Sequence, residues 1–155
     1  MFYTFYISDL VGKILLYGDG KELFGVNFYK NTHINKSWIE NKIVFKDVIY
    51  QLEKYFNKEL KSFDIPIKLS GTPFQKNVFL ELLKIPYGSI VSYQELAKRV
   101  GNEKASRAVG NANGKNPIAI IIPCHRVIAK NGSIGGFSSE INIKRKLLKL
   151  EGVVI

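Results

Sequence analysis

The chain has 155 residues, of which 46% are hydrophobic and 23% charged, so it can form a real core as one domain or as two small ones. No apolar run reaches the roughly 18 residues of a membrane span, which excludes a transmembrane helix. A single cysteine excludes an intramolecular disulfide and argues against a cysteine-rich zinc site. The net charge of +10 favours a polyanionic partner such as nucleic acid, although a generally soluble, lysine-rich surface would give the same charge.

The N-terminal residues bear on where the protein works. Residues 1–6 lack the basic start and the small-residue cleavage site of a signal peptide. A lone cysteine is typical of a reducing compartment. We therefore expect a cytoplasmic protein without a targeting signal.

The chain begins with residues that predict an antiparallel sheet. Apolar and β-favouring residues occupy 2–7, 11–18 and 22–29. Turn signals separate these segments, and Asp19-Gly20 between two apolar runs is a strong hairpin mark. The three segments therefore predict a meander of three strands.

A helix is predicted after this sheet. Residues 31–41 are polar and predict a loop, and apolar residues then recur at helical spacing over residues 45–56. Residues 63–69 contain a proline and predict an extended connector or edge strand. We place a domain boundary after this connector, which divides the chain into an N-terminal α/β domain, 1–70, and a C-terminal domain, 71–155.

The C-terminal domain is predicted to contain a helix-turn-helix. Thr72 is a good N-cap for a first helix. Ser92 and Glu95 have the spacing of a capping box and predict a second helix, which ends near Gly101. A third helix is predicted over residues 103–113, and the short turn between these last two helices is typical of a helix-turn-helix.

The third of these helices is a candidate for DNA contact. It carries Arg107 and several small residues: Ala105, Ser106, Ala108, Gly110 and Ala112. Small side chains allow a helix to approach another surface closely. That surface is either a DNA groove or a neighbouring helix, and the residues alone favour neither.

The end of the chain predicts a turn, a loop and a last helix. Asn131-Gly132 is typical of a two-residue hairpin turn. Residues 135–138 form a glycine-rich loop, and Ser138 or Ser139 can cap the helix. Its inward face is expected to comprise Ile143, Leu147 and Leu150. Its outward face is expected to comprise Lys144, Arg145, Lys146 and Lys149.

The candidate chemistry centres on the only cysteine. An apolar run leads to Pro123, and Cys124, His125 and Arg126 follow directly. A thiolate is a strong nucleophile, and a neighbouring histidine can take its proton. A free cysteine is often a small buried hydrophobe, but the flanking residues favour a reactive one. Adjacent residues of an extended chain point to opposite sides, so we expect one water molecule to bridge Cys124 and His125.

The segment Pro123-Cys124-His125-Arg126-Val127 resembles the signature of the O6-alkylguanine-DNA alkyltransferases. Other segments follow in that family's order and at its spacing: Gly71-Thr72-Pro73-Phe74-Gln75, Pro86-Tyr87-Gly88, Ser92-Tyr93-Gln94-Glu95-Leu96-Ala97, Ser106-Arg107-Ala108-Val109-Gly110, Asn116-Pro117 and Glu151-Gly152. The resemblance extends from Gly71 to the end of the chain, and the ordered set is highly specific.

The resemblance implies an α/β (α+β) fold. The N-terminal domain would be a small ribonuclease-H-like antiparallel sheet plus a helix. It matches the family only in size and in strands that precede a helix. The C-terminal domain would be mainly helical and winged-helix-like, with the helix-turn-helix.

The resemblance also implies the activity of a methylated-DNA–protein-cysteine methyltransferase. Such a protein transfers the alkyl group of O6-alkylguanine in double-stranded DNA irreversibly to its own cysteine, here Cys124. The family binds the minor groove and flips the damaged base out of the duplex. The implied protein is a monomer that needs no metal or cofactor.

The resemblance assigns roles to individual residues. His125 would act with Glu151, which holds the far nitrogen of the imidazole, and Tyr93 would serve N3 of the base. Arg107 would fill the space that the flipped base leaves, and Asn116 would brace the turn of Cys124 against the third helix. The remaining substrate or DNA contacts would be Ser138 near O6, Ser92, Ala105 and Arg126.

Three other functions compete with this interpretation. A non-catalytic relative that binds alkylated DNA would lack the cysteine. A helix-turn-helix regulator would leave the motif around Cys124 unexplained. A thiol hydrolase would need a second, separate histidine next to the cysteine.

Overall fold

The computed structural model describes residues 1–31, 33–134 and 141–154. The chain divides into two units. The first comprises Met1–Lys68 and Pro117–Ala119, and the second comprises Leu69–Asn116 and Ile120–Ile155. The predicted boundary after residue 70 lies close to the end of the first segment of the first unit. The predicted division does not include residues 117–119 in that unit.

The first unit is built on a four-stranded sheet. Its strands are β1 (Phe2–Ser8), β2 (Gly12–Gly18), β3 (Leu23–Phe28) and β4 (Ile39–Glu40), in the order β3-β2-β1-β4. The first three strands are antiparallel neighbours, so the predicted meander is confirmed. The short β4 pairs in parallel with β1 inside a stretch predicted to be a loop, because a polar sequence carries no apolar alternation to mark two edge residues.

Two further segments pair with β3 within this unit. Leu23 N donates to Pro66 O at 2.8 Å, and Lys68 N donates to Leu23 O at 2.9 Å, as predicted for an extended connector. Val26 N donates to Pro117 O at 2.9 Å, and Ala119 N donates to Val26 O at 3.0 Å. Helix α1 (Lys46–Phe56) follows a 3-10 turn, Ile43–Phe45, and buries Val48, Ile49, Leu52 and Tyr55 as its spacing predicts.

The second unit is mainly helical. Its helices are α2 (Pro73–Leu82), α3 (Tyr93–Arg99), α4 (Ser106–Gly114) and α5 (Ile141–Leu150). Its two short strands, β5 (Val91–Ser92) and β6 (Val127–Ile128), pair in parallel. Helices α3 and α4 form the predicted helix-turn-helix. No helix among the described residues is long and apolar enough to cross a membrane.

Local side-chain bonds set the starts of these helices. Thr72 forms a full capping box with Gln75 at the start of α2. Ser92 Oγ accepts from Glu95 N at 3.0 Å, but the Glu95 carboxylate lies 3.4 Å from Arg99 Nε instead of completing the predicted box. Helix α4 begins three residues later than predicted, because Asn102 Oδ1 accepts from Lys104 N at 3.1 Å and holds the preceding residues in a turn.

Two other predictions for this unit need correction. The loop at Asn131-Gly132 has three residues and is closed by a bond from Ala129 N to Ser133 O. Gly132 has positive φ but Asn131 does not, whereas the type I′ turn typical of Asn-Gly needs positive φ at both residues. The buried face of α5 comprises Lys144, Leu147 and Leu148. Lys144 was predicted to face outward. It lies seven residues before the buried Glu151, so both belong to one helical face.

Candidate active site

A tight turn presents Cys124. Pro123 has φ −81° and ψ 64°, and Cys124 N donates to Ile122 O at 2.8 Å, which is an inverse γ-turn. One turn of 3-10 helix, Cys124–Arg126, follows directly. Ile120, just before this turn, is buried with a φ of 73°, a strained conformation for a β-branched residue. The turn leaves Cys124 partly exposed and buries His125 and Arg126.

Two asparagines hold this turn to helix α4. Asn116 Nδ2 donates to Ile122 O at 2.7 Å, where the resemblance places a bracing asparagine. Asn113 Nδ2 donates to Cys124 O at 3.2 Å, and this fully buried residue was not singled out from the sequence. Its position on the inward face of α4, beside Val109 and Ala112, is the signal that could have found it.

The carboxylate of Glu151 is the centre of a buried network. Its side chain is inaccessible to solvent, and its two oxygens accept hydrogen bonds from His125, Arg126 and Gly88. Oε2 accepts from His125 Nε2 at 2.6 Å and from Arg126 Nη2 at 3.1 Å. Oε1 accepts from Arg126 Nε at 2.8 Å and from Gly88 N at 3.1 Å. A buried carboxylate with this many donors is satisfied as an anion.

The network fixes the state of His125. A carboxylate can only accept, so His125 Nε2 carries the hydrogen, and in a neutral imidazole Nδ1 then carries the lone pair. Burial lowers the pKa of His125 below its ordinary value of about 6.5, Glu151 opposes this effect, and the positive charges of Arg126 and Lys144 add to it. Nδ1 is buried and has no hydrogen-bond partner among the residues that the structure describes. His125 is therefore a proton acceptor at neutral pH.

Arg126 has a different position from the one expected of a DNA contact. Its guanidinium is buried, forms a two-point pair with Glu151, and donates from Nη1 to Ile85 O at 2.7 Å. A side chain enclosed in this way cannot reach a phosphate. We assign it instead to neutralising and orienting Glu151.

Tyr93 and Lys144 approach each other near the cysteine. Tyr93 is the first residue of α3, and Lys144 Nζ lies 3.4 Å from its hydroxyl oxygen. Burial raises the pKa of Tyr93, and the charge of Cys124 raises it further. Burial lowers the pKa of Lys144 to about 8, against an opposing effect of Cys124. Lys144 was missed in the sequence because a lysine on a helix is usually solvated.

The other predicted DNA contacts lie at or near the starts of α3 and α4, except for Ser138. Arg107 is exposed near the start of α4, whereas Ala105 occupies the N-cap position of that helix and Ser92 caps α3. Ser138 lies outside the described residues. Among the described residues, no group of three or more histidine, cysteine, aspartate or glutamate side chains could hold a metal ion.

Both parts of the chain match family models. Residues 1–69 match the ribonuclease-like domain, and residues 73–153 match the DNA binding domain, of 6-O-methylguanine DNA methyltransferase.

Relatives and solved structures cover nearly the whole chain. A methylated-DNA–protein-cysteine methyltransferase of Methanosarcina acetivorans is 52% identical over 98% of this chain and 99% of its own length. A methylated-DNA–protein-cysteine methyltransferase of Haemophilus influenzae is 42% identical over 99% of this chain and 87% of its own length. A crystal structure of Mycobacterium tuberculosis OGT in complex with DNA aligns with a TM-score of 0.91 and 43% identity, and the match covers 97% of this chain and 92% of that one. These matches confirm the predicted fold class.

The Glu151 network predicts a large stability effect. Glu151→Gln keeps the shape of the side chain but leaves Arg126 as a buried charge without its counter-ion. We expect the free energy of unfolding to fall by about 3–5 kcal/mol in denaturant titrations. The control is Glu95→Gln, which removes a partly exposed ion pair with Arg99 and should cost less than about 1 kcal/mol. Equal losses in the two variants would contradict the proposed role of the network.

The lowered pKa of His125 predicts how protonation and stability depend on pH. Because the folded protein resists protonation of this ring more than the unfolded chain does, stability should be complete above about pH 6.5 and fall as the pH drops below it. NMR titration of the imidazole signals should show His125 gaining its proton only below about pH 6.5. A midpoint for His125 at or above that value would contradict the neutral acceptor.

Proposed function

The chain belongs to the 6-O-methylguanine DNA methyltransferase family, and we propose that it repairs DNA by moving the alkyl group of O6-alkylguanine irreversibly to Sγ of its own Cys124. The observation that carries the assignment of Cys124 is its geometry. The only cysteine of the chain is partly exposed on a fixed turn, and the next residue is a buried imidazole oriented by a carboxylate.

The first step is removal of the thiol proton. The lone pair on His125 Nδ1 accepts this proton through one bridging water, while Nε2 stays bonded to Glu151. The charge that forms on the imidazole is stabilised by the adjacent carboxylate. This assigns a function to a buried nitrogen that has no hydrogen-bond partner in the described part of the chain, which is a costly arrangement for a structural residue.

The second step is displacement at the alkyl carbon. The electron pair of Sγ forms the S–C bond, and the C–O6 bond breaks with its electron pair left on the guanine. Tyr93 gives its hydroxyl proton to N3 of the base, and a contact from Ser138 to O6 is part of the same proposal. The product thioether is a very poor leaving group, so each molecule reacts once. The chemistry uses only protein side chains and water.

The damaged base must first leave the duplex, because its alkyl group is otherwise out of reach. We assign this task to helix α4, which enters the minor groove with Arg107 in the space that the base vacates. Two features support this. Arg107 is exposed, and the turn of Cys124 is held by the buried Asn113 of the same helix and by Asn116 just after it. Ser92 and Ala105, at the starts of α3 and α4, are further candidate contacts of a monomeric protein.

The reaction can be tested by transfer of a label. Duplex DNA with a radiolabelled methyl group on O6 of one guanine should lose the label to the protein. Cys124→Ser should accept none, because an alcohol is far less acidic than a thiol, yet bind the duplex with similar affinity. Binding without transfer by the unaltered protein would instead indicate the non-catalytic relative, and label on the serine variant at the original rate would exclude Cys124 as the acceptor.

The role of Arg107 predicts a difference between two substrates. Arg107→Ala should slow repair of the duplex by about tenfold or more, because the cost of unstacking a base is a few kcal/mol. Its reaction with free O6-benzylguanine should change by less than about twofold, since a free base needs no flipping.

Arg107→Lys provides the matched control because it keeps the charge without the planar group. It should recover only part of the rate on the duplex. Equal losses on both substrates would contradict a role of Arg107 in flipping.

A further inference from the structure

Two buried side-chain atoms at the reaction turn lack a hydrogen-bond partner among the described residues. They are Oδ1 of Asn113, a residue that is 0% exposed, and Nδ1 of His125, a residue that is 4% exposed. Both side chains belong to the surroundings of one peptide group, because Asn113 Nδ2 donates to Cys124 O at 3.2 Å and His125 is the residue that follows this carbonyl. A buried polar atom without a partner is costly, so two of them at one turn call for a common explanation.

Both of these atoms can only accept a hydrogen bond. The amide of Asn113 must turn its nitrogen to the carbonyl of Cys124, because the reverse orientation would bring two oxygens together. Oδ1 therefore keeps its lone pairs unused. His125 donates from Nε2 to Glu151, so the neutral ring has a lone pair on Nδ1. Two acceptors cannot bond to each other, and a group that serves both must supply two hydrogens.

Bracing of the turn does not account for the oxygen of Asn113. The bond to Cys124 O uses only the amide nitrogen, and Asn116 holds Ile122 O of the same turn at 2.7 Å. Because Asn113 Oδ1 is buried, a base or a phosphate of DNA cannot reach it. A water molecule is the smallest group that offers two donor hydrogens, and the proposed first step already places one between Cys124 and His125.

Resting on the proposed function, we propose that Asn113 is a positioning residue that orients the water between Cys124 and His125. The water donates one hydrogen to Asn113 Oδ1 and the other to His125 Nδ1, and its lone pair then faces the thiol of Cys124. These contacts give the water three hydrogen bonds, the usual number for a buried water.

The oriented water relays the proton without being consumed. The S–H bond of Cys124 breaks and its proton joins the water oxygen, while the hydrogen that faces His125 moves to Nδ1. Sulfur keeps the electron pair that forms the S–C bond, and the imidazole takes the positive charge beside Glu151. Asn113 Oδ1 holds the third hydrogen in place, so a water molecule remains after the step.

The relay determines which group controls the pH dependence of the reaction. With the water in place, the rate should rise as His125 loses its proton and stay nearly level from about pH 6.5 to about pH 8, because burial lowers the pKa of His125 below about 6.5. The described charges that act on this ring are Glu151, which raises its pKa, and Arg126 and Lys144, which lower it. Without an oriented water the thiol must ionise unaided, and the rate should keep rising up to about pH 8.5.

The test compares the pH profiles of variants in the reaction with saturating free O6-benzylguanine, which needs no DNA contact. Single-turnover rates are measured between pH 5.5 and pH 9. Asn113→Leu keeps the branched shape of the side chain and removes the amide. It should be about 10- to 30-fold slower at pH 7, where about 3% of an ordinary thiol is ionised. The loss should shrink to less than about threefold at pH 9, because the thiol then ionises without help.

Two control variants separate the relay from the bracing of the turn. Asn116→Leu removes the bond to Ile122 O and leaves Asn113 in place, so it should lower the rate by the same factor at every pH. Asn111→Leu alters an exposed asparagine of the same helix and should change neither the rate nor the profile. A level profile in Asn113→Leu, or a loss that is equal at every pH, would overturn the inference.

Asn113→Asp is the conservative variant. A buried carboxylic acid stays protonated near neutral pH, so it keeps an acceptor oxygen and donates its own hydrogen to Cys124 O. This variant should keep the level region and react within about threefold of the original rate at pH 7. A profile like that of Asn113→Leu would count against the relay.

Solvent isotope measurements decide the matter if thermal melts show that Asn113→Leu does not fold. Two protons move in the relay, so the rates of the unaltered protein and of Asn113→Asp should follow a curve against the fraction of deuterium. A straight line would indicate a single proton and overturn the inference. If the unaltered protein reacts with neither O6-benzylguanine nor alkylated duplex, the proposed function itself fails. A reactive protein whose pH profile is indifferent to Asn113 refutes only this inference.

Discussion

The candidate site depends on one buried carboxylate. Glu151 lies directly after α5 and joins this end of the helix to two stretches that are distant in sequence. It contacts the 3-10 turn through His125 and Arg126, and the loop before α3 through Gly88. An ionised group without solvent is tolerable only because these donors surround it and Arg126 cancels its charge. The tautomer of His125 follows from this arrangement, whereas its neutral state follows from burial, whose effect on the pKa exceeds the opposing effect of Glu151.

The turn of Cys124 is held from two directions. The Glu151 network fixes the side chains of its second and third residues, while Asn113 and Asn116 fix backbone oxygens of the turn. These asparagines belong to α4 and to the residues that follow it, and the same helix exposes Arg107. The nucleophile and the helix assigned to DNA are therefore joined by two short hydrogen-bonded links. If α4 moved when it bound DNA, these bonds would transmit the movement to the backbone of the Cys124 turn.

The sequence predicts most of the fold because the relevant signals are local. Alternation and Asp19-Gly20 mark the sheet, and spacing and caps mark the helices. The positions of Cys124, His125 and Glu151 could be proposed from a motif resemblance. The roles of Arg126, Asn113 and Lys144 could not, because each depends on a partner 25, 11 or 51 residues away. For Lys144 the local pattern was misleading, since a lysine that begins a run of basic residues on a helix predicts a solvated position.

The two buried cations of the site differ in how their charge is balanced. Arg126 faces a permanent carboxylate, so its charge is cancelled before, during and after the reaction. Lys144 bonds to a phenol, which is neutral at rest, and faces a sulfur that bears negative charge only while it attacks. In the proposed transfer, a cation in this position would interact most strongly while negative charge develops on Sγ, which is the condition for accelerating a reaction rather than merely binding its substrate. A neutral thioether at Cys124 would remove this interaction, because it carries no charge for Lys144 to balance.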